Sequence, residues 1–303
     1  MSSGLLNADT DRDTWLAERR KGIGASEIAA VMGISPWESP FSLYWRKVNG
    51  WSYAASAQME WGTRLEDAIA QKYAHEHGDD WLVRPAGLMV GPEPWILGTP
   101  DRLLDTAIPG IGICGVLELK TAHSADEWGE PGTDDIPVYY RAQVQWLMLV
   151  VGVDWAHVAV LIRGSDYREY EVLRDETDIA AMVDAGREFM ARIESSDPPD
   201  IDSHSATLAT LKRLHPDLED AEVEVDSDVA ANFLTAVEMV RQAEQLKQSA
   251  EIQLRAAMGP AKRAVCGGER VASRSIYTVK ESVRRAYTVD RLNPARNKES
   301  TDD

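Results

Sequence analysis

The stretch Ile113-Cys114-Gly115-Val116-Leu117-Glu118-Leu119-Lys120 constrains the fold more than any other part of the chain. It is an apolar run broken by two opposite charges two residues apart. Successive side chains of a strand point to opposite faces, so Glu118 and Lys120 share one face while Leu117 and Leu119 pack on the other. A carboxylate and an amine on a half-buried strand cost desolvation free energy. A simple ion pair on an edge strand would explain them if they stood alone. They do not, because Pro100-Asp101 precedes them, with sixteen residues between Asp101 and Glu118. Two acids and a lysine that converge suit metal-dependent cleavage of a phosphodiester. The acids hold divalent cations, and the lysine orients the attacking water or offsets charge in the transition state.

Around this run the hydrophobic period changes. A short helix is expected over Trp15 to Arg20, and Ser26 reads as the N-cap of a helix to Met32 with Glu27 in its first turn. Pro40 opens a helix to Lys47. Met59 to His77 carries an apolar stripe of Trp61, Leu65, Ala68, Ile69 and Tyr73, with Gly78 as C-cap. The flanking histidines of its last turn, His75 and His77, point to different faces and are expected in solvent. Trp81–Val90, Ile96–Asp105 and Ile113–Thr121 then read as strands. A helix from Pro137 to Val151, the strands Trp155–Ile162 and Tyr167–Leu173, and a helix over Glu176–Ile193 follow. This order implies an α/β (α+β) fold with a central mixed sheet flanked by helices. Ser195-Ser196-Asp197-Pro198-Pro199 reads as a boundary. Beyond it a polar stretch leads to a helix over Asp228–Met258 and a hairpin over Val265–Val279.

The net charge of −18 argues against nucleic acid as a partner, because phosphate neutralisation supplies most of such affinity. The distribution softens the objection. Residues 197–258 hold thirteen acidic and five basic side chains, whereas residues 259–298 hold ten basic and three acidic. The basic stretch could face a polyanion or be a solvated charged hairpin. The two cysteines, Cys114 and Cys266, exclude a disulfide framework and a four-cysteine iron–sulfur or zinc site within the chain. No apolar run approaches the ~18 residues of a membrane span, and the polar first twenty residues show no signal peptide. A reducing cytoplasm is the expected location, that of a bacterial host if the chain is phage-encoded.

Further residues complete a pattern. Glu66 has Ile69 and Tyr73 at i+3 and i+7, at the edge of a buried helical face. Tyr140 and Gln143 share a helical face, and Thr99 stands two residues before Asp101. In chain order the motifs are Trp15-Leu-Ala-Glu-Arg19 with Gly22-Ile-Gly-Ala-Ser26; Ser35-Pro36-Trp37; Trp61-Gly62-Thr63-Arg64-Leu65-Glu66; Gly98-Thr99-Pro100-Asp101; Leu117-Glu118-Leu119-Lys120; and Tyr140-Arg141-Ala142-Gln143-Val144-Gln145. Each is weak alone; six in order are specific. Over roughly residues 15–195 they resemble the YqaJ-type viral recombinase and phage lambda exonuclease family, which belongs to the restriction-endonuclease-like PD-(D/E)xK nucleases.

The resemblance implies a restriction-endonuclease-like nuclease domain over residues 14–195, after a disordered stretch at 1–13 and before a C-terminal extension at 196–303. It implies that Glu66, Asp101, Glu118 and the backbone carbonyl of Leu119 gather two Mg²⁺ ions, with Mn²⁺ able to substitute. Lys120 would position the water, Tyr140 and Gln143 would line the site, and Arg19, Ser26 and Thr99 would grip a terminal 5′-phosphate. Hard oxygen donors of this kind match Mg²⁺ or Mn²⁺ and not zinc. The implied activity is a 5′→3′ exonuclease on double-stranded DNA that leaves 3′ tails for a single-strand annealing partner, in a homo-oligomer such as a ring-shaped trimer. Two rivals remain: an endonuclease that cuts internally, and an inactive DNA-binding or DNA-mimicking protein on a nuclease fold. Trp37 and Trp128 fall in loops where a ring could stack on a base, although packing is the simpler role for both.

Overall fold

The computed structural model describes residues 3–52, 56–78, 81–106, 112–278, 290 and 292. The chain divides into two compact units, Met1–His215 and Pro216–Asp303. The first opens with a two-residue strand β1 (Ser3–Gly4), helix α1 (Arg12–Arg19) and strand β2 (Ile23–Gly24). A 3-10 turn (Ala25–Glu27), α2 (Ile28–Val31), α3 (Pro40–Val48) and α4 (Ala57–His77) follow. Then come β3 (Trp81–Pro85), β4 (Met89–Val90), β5 (Ile96–Gly98), β6 (Arg102–Thr106) and β7 (Ile113–Ala122). The unit closes with α5 (Val138–Val151), β8 (Trp155–Ile162), β9 (Asp166–Leu173), α6 (Glu176–Ser195) and α7 (Ser205–Leu214).

The central sheet is mixed, in the order β3-β6-β7-β8-β9, with only β7 and β8 parallel. Parallel neighbours need a crossover, and α5 supplies it. Val116 belongs to the core beneath α2, α5 and α6, while Leu117 and Leu119 pack with Ile69, Ala70 and Tyr73 of α4. The period-two reading of this strand therefore holds, and both of its faces are covered. The inward face of α4 is centred on Ile69, Ala70 and Tyr73; Trp61, expected in the stripe, is 62% exposed. His77 is not free in solvent as expected: its ring stacks on Tyr73 and its Nε2 lies 2.8 Å from Glu169.

Several expectations are corrected. The run from Ile96 to Asp105 is two strands, broken at Thr99–Asp101, where Pro100 offers no N–H to a ladder. Ser26 is not an N-cap; it lies inside the 3-10 turn, exposed, beside a buried Glu27. Residues 3–13 are not disordered. Ser3 and Gly4 pair with Val90 and Met89, and Asp11 caps α1 by accepting from the Thr14 N–H. Gly87 admits this segment, because a Cβ there would stand 1.9 Å from the Leu6 carbonyl oxygen.

The first unit also runs past Ser195. Helix α7, unforeseen in the polar stretch, is held by a buried 2.6 Å contact between the Ser39 and Thr207 hydroxyls. The second unit consists of a 32-residue helix α8 (Ser227–Met258), none of whose residues is buried, and the hairpin β10 (Arg263–Cys266) and β11 (Glu269–Ser273). Val279, the expected end of that hairpin, and most of the basic stretch after it lie outside the described residues. Both cysteines are free, and among the described residues no helix is long and apolar enough to cross a membrane.

Candidate active site

The break at Pro100 ends β5 and starts β6 one residue after Asp101, so β7 extends beyond its partner. Arg102 pairs with Leu117, and past that point the edge of β7 is open on the β6 side. Asp101 fills it: its Oδ2 accepts from the Leu119 N–H at 2.8 Å. The N–H and C=O of one residue in an extended strand point to the same edge, so the Leu119 carbonyl faces the Asp101 side as well. Glu118 and Lys120 project from the α5 face. Lys120 Nζ donates to Glu118 Oε1 at 2.6 Å, and the Gln143 amide of α5 donates to that same oxygen. Tyr140, one turn before Gln143, places its ring 4.8 Å beneath the Lys120 ammonium, a cation–π contact that favours the charged amine.

The other carboxylate oxygen is the telling one. Glu118 is 2% exposed, and its Oε2 is buried without a hydrogen-bond partner. An orphaned buried carboxylate oxygen is costly. Burial and the nearby Asp101 push the Glu118 carboxyl up to about 8, against the pull of Lys120. Glu66, reaching in from α4, is pushed up to about 6 by burial and again by Asp101. Burial alone would lower the Lys120 ammonium, but Glu118 and Asp101 outweigh it and raise it. Burial and Asp101 thus disfavour charge on both Glu118 and Glu66 beside one lysine. A divalent cation would relieve that conflict, and the donors are the hard oxygens it needs. Among the described residues no three His, Cys, Asp or Glu side chains are already gathered as a metal cage. The acids instead take protein donors, Asp101 the Leu119 amide and Glu118 the Lys120 and Gln143 side chains.

A second cluster forms where α1, the 3-10 turn and α3 meet. Arg19 donates to the exposed Ser26 hydroxyl, and its guanidinium lies 4.8 Å over the Trp15 ring. The Trp15 indole N–H in turn reaches the Thr99 hydroxyl at 3.3 Å. Arg19, Ser26 and Thr99 are therefore linked through Trp15. Beneath them is a residue whose role sequence reasoning missed. Glu27, 3% exposed, accepts from the Gly24 N–H at 2.9 Å and from Arg46 and Lys47 at 2.8 Å each, with Arg19 4.0 Å away. Burial would raise its carboxyl, but Lys47, Arg19 and Arg46 outweigh it and hold it down at about 2. Gly24 leaves room for Arg19, whose Nε would stand 3.1 Å from a Cβ. The clue to Glu27 was an acid flanked by three separate basic residues, but their convergence is tertiary. Gln145, part of the Tyr140–Gln145 motif, serves the fold: it bonds the Leu173 carbonyl and the Asp175 N–H.

Residues 14–154 match the YqaJ-like viral recombinase domain. That segment is YqaJ-like. Over 222 residues, 70% of this chain, it is 32% identical to the uncharacterized protein YqaJ of Bacillus subtilis (strain 168), of whose length it spans 66%. An alkaline exonuclease (LHK-Exo) from Laribacter hongkongensis superposes with a TM-score of 0.50 at 23% identity, covering 67% of this chain and 98% of that one. The fold of this YqaJ-like chain is thus of the restriction-endonuclease-like kind, as its motifs implied.

Proposed function

We propose that this YqaJ-like protein is a Mg²⁺-dependent exonuclease that hydrolyses one strand of duplex DNA from a 5′-phosphorylated end and leaves a 3′ single-stranded tail. The observation that carries the reading is the buried, unpartnered Oε2 of Glu118, set beside Asp101 and Glu66 where β7 outruns β6. Asp101, Glu118, Glu66 and the Leu119 carbonyl would hold the cations. When bound, two such ions neutralise charge on the scissile phosphate and lower the pKa of a water for in-line attack.

The chain's own residues do the rest. Gln143 and Lys120 both hold Glu118 Oε1, which fixes the carboxylate and leaves Oε2 available. Lys120, kept protonated by its acidic neighbours, can donate to the attacking water or offset charge on the phosphorane-like transition state. Tyr140 supports the ammonium from below and limits its freedom. Arg19 and Ser26 would take the terminal phosphate, one as a fork of charged donors and one as a hydroxyl, with Thr99 tied to them through Trp15. The tail would pass to a single-strand annealing protein. In a homo-oligomer of the ring kind, an acidic outer surface does not oppose DNA entry, provided that basic groups line the channel.

Time-resolved digestion of end-labelled linear duplex tests this reading. Digestion should require Mg²⁺ or Mn²⁺, start at ends, and run at least about tenfold faster from a 5′-phosphate than from a 5′-hydroxyl. Cleavage of closed circles, or equal rates from both ends, would replace the exonuclease with an endonuclease. Absence of Mg²⁺-dependent nucleolysis would leave only a binding or mimic role.

A further inference from the structure

Two loop tryptophans could have met a base, and the structure separates them. Trp128 is 8% exposed and packs between Tyr140 and Tyr170. Trp37 is 63% exposed. Leaving an indole in water forfeits the stabilisation that burial of its apolar surface would have supplied. The indole is nevertheless carried on a stiff turn. Pro36 fixes one backbone angle, the Ser35 hydroxyl accepts from the N–H groups of both Trp37 and Glu38, and Glu38 is clamped by Arg46 at 2.7 Å.

The direction of this turn matters more than its stiffness. The Trp37 ring meets the edge of Tyr139 at 4.8 Å and 76°, and stands 6.0 Å from Tyr140. Tyr140 is the ring beneath Lys120. The exposed indole is therefore two ring contacts from the catalytic lysine, within about three 3.4 Å base steps. It also shares a support with the candidate phosphate pocket: Arg46 bonds Glu38 of the tryptophan turn and Glu27 beneath Arg19 and Ser26. One guanidinium thus braces the group that would hold the strand's end and the ring beside the cut.

We infer that Trp37, backed by Tyr139, is a stacking platform for an unpaired nucleobase of the strand being cut, next to the scissile phosphate. This rests on the nuclease reading and adds a base contact to it. Every base has a π-face, so the platform grips without reading sequence. It would hold the frayed end open and keep the phosphodiester in register with Lys120.

The test is a cycle between protein and DNA, run on the full chain in the absence of divalent cations so that nothing is cut. Affinity is measured by anisotropy for a duplex with a frayed 5′-phosphorylated end, and for the same duplex with an abasic sugar at each of the first four nucleotides in turn. Wild type should lose about tenfold in affinity at one or two abasic positions. Trp37→Ala should lose a similar factor on the intact duplex and nothing further at those positions, while Trp37→Phe stays within about threefold of wild type. Identical abasic profiles for wild type and Trp37→Ala would overturn the platform. A change in solution mass on Trp37→Ala with no change in DNA affinity would also overturn it, by making the ring a contact between copies. If wild type digests duplex but shows no such coupling, the platform alone fails. If wild type neither binds nor digests duplex, the nuclease reading fails and the platform falls with it.

Discussion

Glu27 and Glu118 are the two most deeply buried carboxylates described, 3% and 2% exposed, and they sit in opposite electrostatic worlds. Glu27 is surrounded by Arg19, Arg46 and Lys47 and is held down at about 2; Glu118 is crowded by Asp101 and Glu66 and is pushed up to about 8. Burial is the same, so the neighbours decide. Both oxygens of Glu27 are used, by a backbone N–H and two cations. One oxygen of Glu118 is left with nothing. A completed ion cluster is a structural device, whereas a buried carboxylate with a spare oxygen and acidic company suits a cation that arrives with the reaction. The first region would recognise an anion and the second would act on one.

Neutralising each acid should therefore have different consequences. Glu118→Gln should lower Mg²⁺-dependent digestion by ~10²-fold or more, as should Lys120→Ala, the scale of losing a transition-state electrostatic group. The Glu118→Gln protein should unfold within about 1 kcal/mol of wild type in urea, because a strained charge has been removed. Equal activity would dismiss the acid cluster as a catalytic centre. Glu27→Gln should do the reverse in stability and lose about 3–5 kcal/mol, because it strands buried cations without their partner. A urea midpoint unchanged from wild type would show that the cluster is not the support described above.

The acid side of the pH scale sharpens the same contrast. The folded-state pKa of Glu27 lies below its unfolded value of about 4.5, so its contribution is fully present above that value and is lost as pH falls through about 2. About 3 kcal/mol should disappear across that window, and Glu27→Gln should flatten this part of the stability–pH curve. A smaller effect is expected at the pocket's rim. Arg19→Gln should reduce the preference for 5′-phosphate over 5′-hydroxyl ends by about tenfold while leaving the fold intact, read from the two digestion rates side by side. An unchanged preference would move phosphate capture elsewhere.

Much of this was legible in the chain. The alternation at Leu117-Glu118-Leu119-Lys120 is local, and a period of two survives whatever packs on it, so its two faces were readable. The order of the helices and of most strands followed from punctuation by glycine and proline, whereas the break at Pro100 that lets Asp101 fill the edge of β7 was not foreseen. What stayed hidden was made by distance. Glu27 looked like an ordinary first-turn acid, because Arg19, Arg46 and Lys47 meet it only when three elements converge. His77 looked solvent-facing until Tyr73 and Glu169 closed on it. Helix α7 carries few large apolar residues, and its anchor is a hydroxyl pair rather than a stripe. Residues 3–13 lack hydrophobic periodicity and are held by backbone pairing and a cap, which composition does not reveal.

The central claim is that Glu118 belongs to a cation site and Glu27 does not. Thermal unfolding of wild type, Glu118→Gln and Glu27→Gln, each with and without Mg²⁺, puts it to the test without any DNA. Wild type should gain about 2.7 kcal/mol at a hundredfold excess of Mg²⁺ over its dissociation constant. Glu27→Gln should gain as much from its lower baseline, and Glu118→Gln should gain almost nothing. An equal gain in Glu118→Gln would contradict the claim.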